Sequence, residues 1–125
     1  MAGVTLDAGA LIALERDDRR VLVLLARARE TGARVTVPAT ALAQVVRSPA
    51  GHVRLARLAR QPTTDVVPLD RVDATSVGRL LAASGTADIV DAHVVICARR
   101  AVQLVVTSDP DDLRTLDPAL QVVHV

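Results

Sequence analysis

Val4-Thr5-Leu6-Asp7-Ala8-Gly9-Ala10-Leu11-Ile12 opens the chain with a strand, an acid and a helix in immediate succession. Val4 to Leu6 is a short β-type run that stops at Asp7. Residues 8–15 then read as a helix, with Leu11, Ile12 and Leu14 apolar. The same alternation continues outward. Strands are expected over 34–37, closed by Pro38, and over 65–69, 103–107 and 120–125. Helices are expected between them. One is capped by Asp17 or Asp18 and ends near Gly32. Others cover 39–47, broken by Ser48-Pro49, and 51–60. Another runs over 70–83 and stops at Ser84-Gly85. A strong helix over 87–99 is capped by Thr86, and a short one is opened by Ser108-Asp109-Pro110. Apolar strands alternating with helices predict an α/β fold with a mainly parallel sheet of about five strands and helices on both faces.

Composition narrows the chemistry. The chain has 125 residues, half of them hydrophobic, with no Phe, Tyr or Trp. With no linker or repeat, residues 1–125 read as a single domain. Its apolar content comes from 21 Ala, 21 Val, 16 Leu and three Ile, enough for a core because aliphatic area is buried as favourably as aromatic area. All 15 basic residues are Arg, and 12 of the 14 acids are Asp. The absence of Lys excludes a Walker A loop, Schiff-base catalysis and a Ser-Lys pair. The absence of aromatics excludes a base-stacking platform. A single cysteine, Cys97, excludes an internal disulfide and a multi-cysteine zinc site, and reads as core. No signal peptide or apolar run of about 20 residues is visible, so a cytoplasmic location is expected. The use of Ala, Val, Arg, Gly and Pro suggests a GC-rich genome.

The net charge of +1 hides an asymmetry. Residues 1–60 carry 10 Arg against five acids, and residues 61–125 carry five Arg against nine acids.

In parallel α/β sheets, sites form beyond the carboxyl ends of strands. Asp7 and Asp109 stand at two such ends, and Asp91 lies early in a helix. Three converging carboxylates repel unless a proton or cation lies between them. Oxygen ligands of this kind favour Mg²⁺ or Mn²⁺, which can activate water for attack on a phosphodiester. Each acid also has a structural explanation. Asp7 can close a turn. Asp88 and Asp91 are one helical turn apart at a helix start, where negative charge is favoured. Asp109 suits an N-cap before Pro110. Asp111 and Asp112 read as surface acids of a first turn.

Four stretches resemble the PIN-domain family, specifically VapC-type toxins of bacterial toxin–antitoxin pairs. They are Leu6-Asp7-Ala8-Gly9-Ala10-Leu11-Ile12; Val37-Pro38-Ala39-Thr40-Ala41-Leu42-Ala43-Gln44-Val45-Val46-Arg47; Asp88-Ile89-Val90-Asp91-Ala92-His93-Val94-Val95; and Val106-Thr107-Ser108-Asp109-Pro110-Asp111-Asp112-Leu113. Taken in order, they span the chain. The resemblance implies a PIN-like three-layer fold and a Mg²⁺- or Mn²⁺-dependent endoribonuclease. It also implies a VapB-type antitoxin, an RNA substrate and a homodimer. By position, Asp7 matches the first family acid, Asp91 the third and Asp109 the fourth.

The second family acid falls on Gln44, where the family pattern has Glu. Glutamine offers a neutral oxygen and no base. Asp88 could supply the missing charge, Gln44 could hold a metal-bound water with reduced activity, or the domain could bind without cutting. Thr107 and Ser108 could orient waters or phosphates, or simply shape a turn. His93 reads as a packed or hydrogen-bonded histidine. With no Lys, RNA contacts fall to Arg: Arg54, Arg57 and Arg60 along one helix, and Arg16, Arg19, Arg20 and Arg47 nearby. An ordinary solvated face explains the same row. An Asp-nucleophile phosphatase is disfavoured, because Gly9 stands where its second Asp belongs. A phosphate-receiver domain lacks its Lys.

Overall fold

A computed structural model describes residues 2–48 and 51–125. Pro49 therefore lies outside the described residues. The sheet has five strands: β1 Val4–Leu6, β2 Val35–Pro38, β3 Thr64–Val67, β4 Leu104–Thr107 and β5 Val122–His124. Their order is β3-β2-β1-β4-β5, and every pairing is parallel. The expected mainly parallel sheet is thus wholly parallel among the described residues. Seven helices are described: α1 Ala8–Glu15, α2 Arg19–Thr31, α3 Ala39–Val46, α4 Val53–Ala59, α5 Arg71–Ser84, α6 Ile89–Ala101 and α7 Pro110–Leu116.

The winding decides where chemistry can occur. From β1 the chain steps one way, to β2 and β3; β4 and β5 lie on the other side of β1. The order therefore reverses between β1 and β4, where Leu6 stands opposite Val106. Helices leave the carboxyl ends of these two strands in opposite directions and open a crevice between them.

Central strands are buried on both faces, so they need apolar residues throughout rather than alternation. Val4, Thr5 and Leu6 of β1 and Val105, Val106 and Thr107 of β4 are all buried. The edge strand β3 is half-exposed to exposed along its length. The core consists of Leu, Val and Ala: Leu6, Leu11, Leu55 and Leu113 are its largest buried aliphatics, with His93 buried among them. Fully burying each Leu or Val contributes roughly 1.5–3 kcal/mol.

Local signals set the helix ends, with some shifts from the expected ones. Asp18, rather than Asp17, caps α2 by accepting from the Arg20 and Val21 N–H groups. Asp70 caps α5 through the Asp73 N–H at 2.8 Å. Helix α6 begins at Ile89 instead of residue 87, because Asp88 and not Thr86 supplies the cap. A carboxylate outcompetes a hydroxyl there, since its charge also complements the helix dipole. Thr86 is instead bonded to the Ser84 hydroxyl. Helix α4 is shorter than its expected span of 51–60, with His52 at its start and Arg60 at its end. Four strands also shift: β2 runs Val35–Pro38 and so takes in Pro38 but not Arg34. β3 starts at Thr64 and stops at Val67, β4 starts at Leu104, and β5 is trimmed to Val122–His124.

One helix end is strained. Val102 closes α6 in the left-handed region, at φ 54. A β-branched residue is poorly suited to that conformation. Val102 is 83% exposed, so its side chain buries little. Val102→Gly should stabilise the protein by about 1 kcal/mol, read as a higher Tm in thermal unfolding. An unchanged or lower Tm would contradict the strain.

Candidate functional site

Asp7 lies directly beyond β1 and is only 5% exposed. It is also the N-cap of α1, with Oδ1 accepting from the Ala10 N–H at 2.8 Å. Burial pushes its carboxyl above the ordinary value, and the Asp109 charge adds to that rise. The Thr107 hydroxyl and the Ala10 and Gly9 N–H groups oppose it.

Across the switch point, Thr107 is fully buried at the end of β4, and its Oγ1 accepts from the Asp109 N–H at 2.9 Å. One hydroxyl thus lies beside the first carboxylate and fixes the backbone of the other. Asp109 occupies the N-cap position of α7 without a side-chain capping bond. Pro110 suits the first helical position. The Asp109 carboxylate instead meets Asp112, whose carboxyl is raised by that hydrogen bond and by the Asp109 charge. Asp112 is exposed, as expected, but it belongs to the same acidic cluster.

The start of α6 supplies the third side. Asp88 caps the helix and accepts from the Asp91 N–H at 2.9 Å. Capping therefore explains Asp88 and leaves the Asp91 carboxylate free. That carboxyl is pushed up to about 7, first by burial, then by the charges of Asp88, Asp7, Asp112 and Asp109. Five acids from β1, α6 and α7 thus act on one another around Asp91.

Gly9 makes the close approach possible. A Cβ there would fall 2.0 Å from Ser108 Oγ and 3.0 Å from Ser108 Cβ. Only a residue without a side chain lets the first turn of α1 sit against the turn that carries Ser108 and Asp109.

Gln44 is placed differently. It is exposed on α3 and lines a cleft of about 430 Å³ with Ile12, Glu15, Arg16 and Arg47. No hydrogen bond joins it to the acids among the described residues. Ile12 and Arg16 also line the neighbouring cleft that reaches Gly9 and Ser108. Arg16 therefore stands between Gln44 and the turn carrying Asp109.

The arginine row of α4 is divided. Arg54 Nη2 pairs with Asp17 at 2.7 Å. Arg57 is exposed and lines two clefts, one of about 570 Å³ with His52 and Arg60 and one of about 240 Å³ with Leu22, Leu25 and Arg29. Among the early arginines, Arg20 Nη2 lies 3.4 Å from Asp18 Oδ2.

Sequence reasoning did not foresee one grouping. Asp73 on α5 and His93 and Cys97 on α6 are all buried, with ligand-type atoms within 4.8 Å of one another. The only hint was the spacing of His93 and Cys97, four apart on one helical face. Asp73 accepts from Arg100, at 3.0 Å for Nη1 to Oδ2, and the Arg100 guanidinium holds its carboxyl low.

The geometry makes two variants informative. The folded protein retains a proton on Asp91 up to about pH 7, whereas the ordinary carboxyl value is 3.8. Without metal, this raised group destabilises the fold progressively as pH rises from about 4 through 7. Asp91→Asn should therefore melt higher than the parent in chelator at pH 8, by about 2 kcal/mol after allowing for partial exposure. The two curves should converge near pH 4. Gly9→Ala should lose about 1–3 kcal/mol by overpacking against Ser108, and adding Ser108→Gly should recover most of it. Thermal unfolding reads both.

No family model matches the sequence, and no curated protein matches it significantly. Solved structures do match in three dimensions. FitAcB from Neisseria gonorrhoeae is 17% identical, with a TM-score of 0.66 over 97% of this chain and 96% of that one. VapBC2 from Rickettsia felis, bound to a DNA fragment from their promoter, is 13% identical, with a TM-score of 0.68 over 98% of both chains. FitAB bound to the IR36 DNA fragment is 16% identical, with a TM-score of 0.64 over 97% of this chain and 94% of that one. At these identities the shared property is the fold, and it is the PIN-like three-layer α/β fold implied by the sequence motifs.

Proposed function

We propose that this chain is the toxin of a VapBC-type toxin–antitoxin pair and a Mg²⁺- or Mn²⁺-dependent endoribonuclease. The observation that carries this reading is the convergence of Asp7, Asp91 and Asp109 at the switch point, with Asp91 raised to about 7. Mutually repelling carboxylates around a buried Asp7 and a half-buried Asp91 store unfavourable electrostatic energy that a divalent cation relieves. The donors are all oxygens, which suits a hard ion and not a thiophilic one. Asp7, Asp91 and Asp109 would hold it, with Asp88 adding charge through the carboxylate oxygen not used for capping. When bound, such an ion lowers the pKa of water and neutralises charge on a phosphodiester.

The chain's own residues supply positioning. Thr107 fixes the Asp109 backbone beside Asp7. Ser108 and Arg16 line the cleft next to the acids, where an RNA backbone would run. Arg47 and Arg57 are exposed cations for phosphate, and Arg54 would join them on leaving Asp17. The groove lined by Leu14, Leu22, Leu25, Arg29, Arg54 and Arg57 suits an amphipathic segment of a VapB-type antitoxin carrying acids. The FitAcB and VapBC2 likenesses support such a partner; a cytoplasmic location and a homodimer belong to the same proposal.

The placement of Gln44 favours a second reading, a domain that binds RNA or antitoxin with little cleavage. Without a carboxylate on α3, the metal attraction is weaker by one charge.

Expression with and without the cognate small partner, followed by mapping of RNA ends, tests the proposal. The expected result is growth arrest relieved by the partner, with new Mg²⁺-dependent ends. Asp7→Ala should abolish the ends, and Gln44→Glu should increase cleavage at least tenfold. Unchanged growth, no new ends with either form, and no calorimetric heat with Mg²⁺ or Mn²⁺ would leave the binding-module reading.

A further inference from the structure

We propose that Asp73, His93 and Cys97 form a second, buried site for a thiophilic divalent ion, Zn²⁺, separate from the acidic cluster and clamping α5 to α6. Three different ligand types meet there: a carboxylate, an imidazole and a thiol, with the atoms that would bind within 4.8 Å of one another. Zinc bonds of about 2.0–2.3 Å require these atoms to draw in by about 1 Å, within the reach of side-chain adjustment.

The independent observation is at His93. The residue is fully buried, yet its Nε2 has no hydrogen-bond partner among the described residues. That atom faces Asp73 Oδ2 at 3.9 Å, too far for a hydrogen bond. The Pro68 carbonyl lies beside the same ring without completing a bond at Nε2. The opposite ring nitrogen, Nδ1, is 2.6 Å from Thr40 Oγ1 on α3. We assign the tautomer in which Nδ1 donates to Thr40, so that the Nε2 lone pair faces the Asp73 carboxylate. A cation removes that conflict. A zinc-bound imidazole is ordinarily fixed by an acceptor at its other ring nitrogen, a role the Thr40 oxygen fills here.

The remaining charges are compatible. Arg100 already holds Asp73 from outside, but each carboxylate oxygen retains a second lone pair. The Arg100 side chain is 55% exposed, so its charge stays solvated. Burial pushes the Cys97 thiol up to about 11, so zinc would displace a proton that the thiol otherwise keeps. The step balances: a sulfur–zinc bond forms, the S–H bond breaks, and H⁺ leaves to solvent. Zn²⁺ then meets two anionic ligands and one neutral ligand.

The full chain, purified without a metal-affinity tag and stripped with chelator, is titrated with Co²⁺ and then Zn²⁺. We expect a thiolate-to-cobalt charge-transfer band that saturates at about one equivalent. Zn²⁺ should abolish it, whereas excess Mg²⁺ should not. Cys97 is the only cysteine, so the band can arise nowhere else. His93→Asn should weaken Co²⁺ affinity at least tenfold while circular dichroism stays native, and Zn²⁺ should raise the Tm of the parent. Absence of the band in the parent overturns the site. So does an unchanged affinity in folded His93→Asn. If that variant does not fold, the parent titration decides alone.

Discussion

Parallel pairing between β1 and β4 is the contact on which the rest of the molecule depends. It places Leu6 opposite Val106 and so brings Asp7 alongside Thr107, Ser108 and Asp109. It also sets the point where the strand order reverses. The backbone ladder does this without reference to the acids, which are costly passengers at its end. Burial, reinforced by their mutual repulsion, raises the carboxyls of Asp7 and Asp91. The core must outweigh that cost, and it does so without a single aromatic hydrocarbon ring.

Much of this was legible because a wholly buried strand leaves a plain mark. Val4-Thr5-Leu6 and Leu104-Val105-Val106-Thr107 are short β-type runs, each followed by a turn or helix signal. Acids at such ends can be read directly. The division of labour between Asp88 and Asp91 could not be read, because i,i+3 spacing fits either one as the cap. Only the backbone showed that Asp88 takes the bond. Asp109 was ambiguous for a related reason. Its position before Pro110 suggests a cap, yet its carboxylate makes no capping bond and meets Asp112 instead. Strand ends shift by one or two residues because side-chain hydropathy does not mark where the ladder bonds stop.

The buried grouping of Asp73, His93 and Cys97 escaped for a different reason. Its members come from two helices, and nothing local links Asp73 to the others. Arg100 has a partner on another helix that hydropathy does not register. Tertiary proximity of polar groups inside an apolar layer leaves almost no trace in periodicity. Gln44 presents the reverse situation. Its place in the motif was plain, but its exposure and its cleft beside Arg16 and Arg47 became visible only in three dimensions.

The β1–β4 pairing also has a consequence for synthesis. Residues 4–6 leave the ribosome early, yet their partner strand begins at Leu104. Until then β1 has β2 on one side and an unpaired edge on the other. A nascent chain that stalls before β4 carries Asp7 and Asp91 but not Asp109. The acidic centre therefore assembles last, after most of the core, because loop closure over this distance is the slow part of building such a sheet. The strand pairing that builds the fold is thus also the step that completes the set of acids.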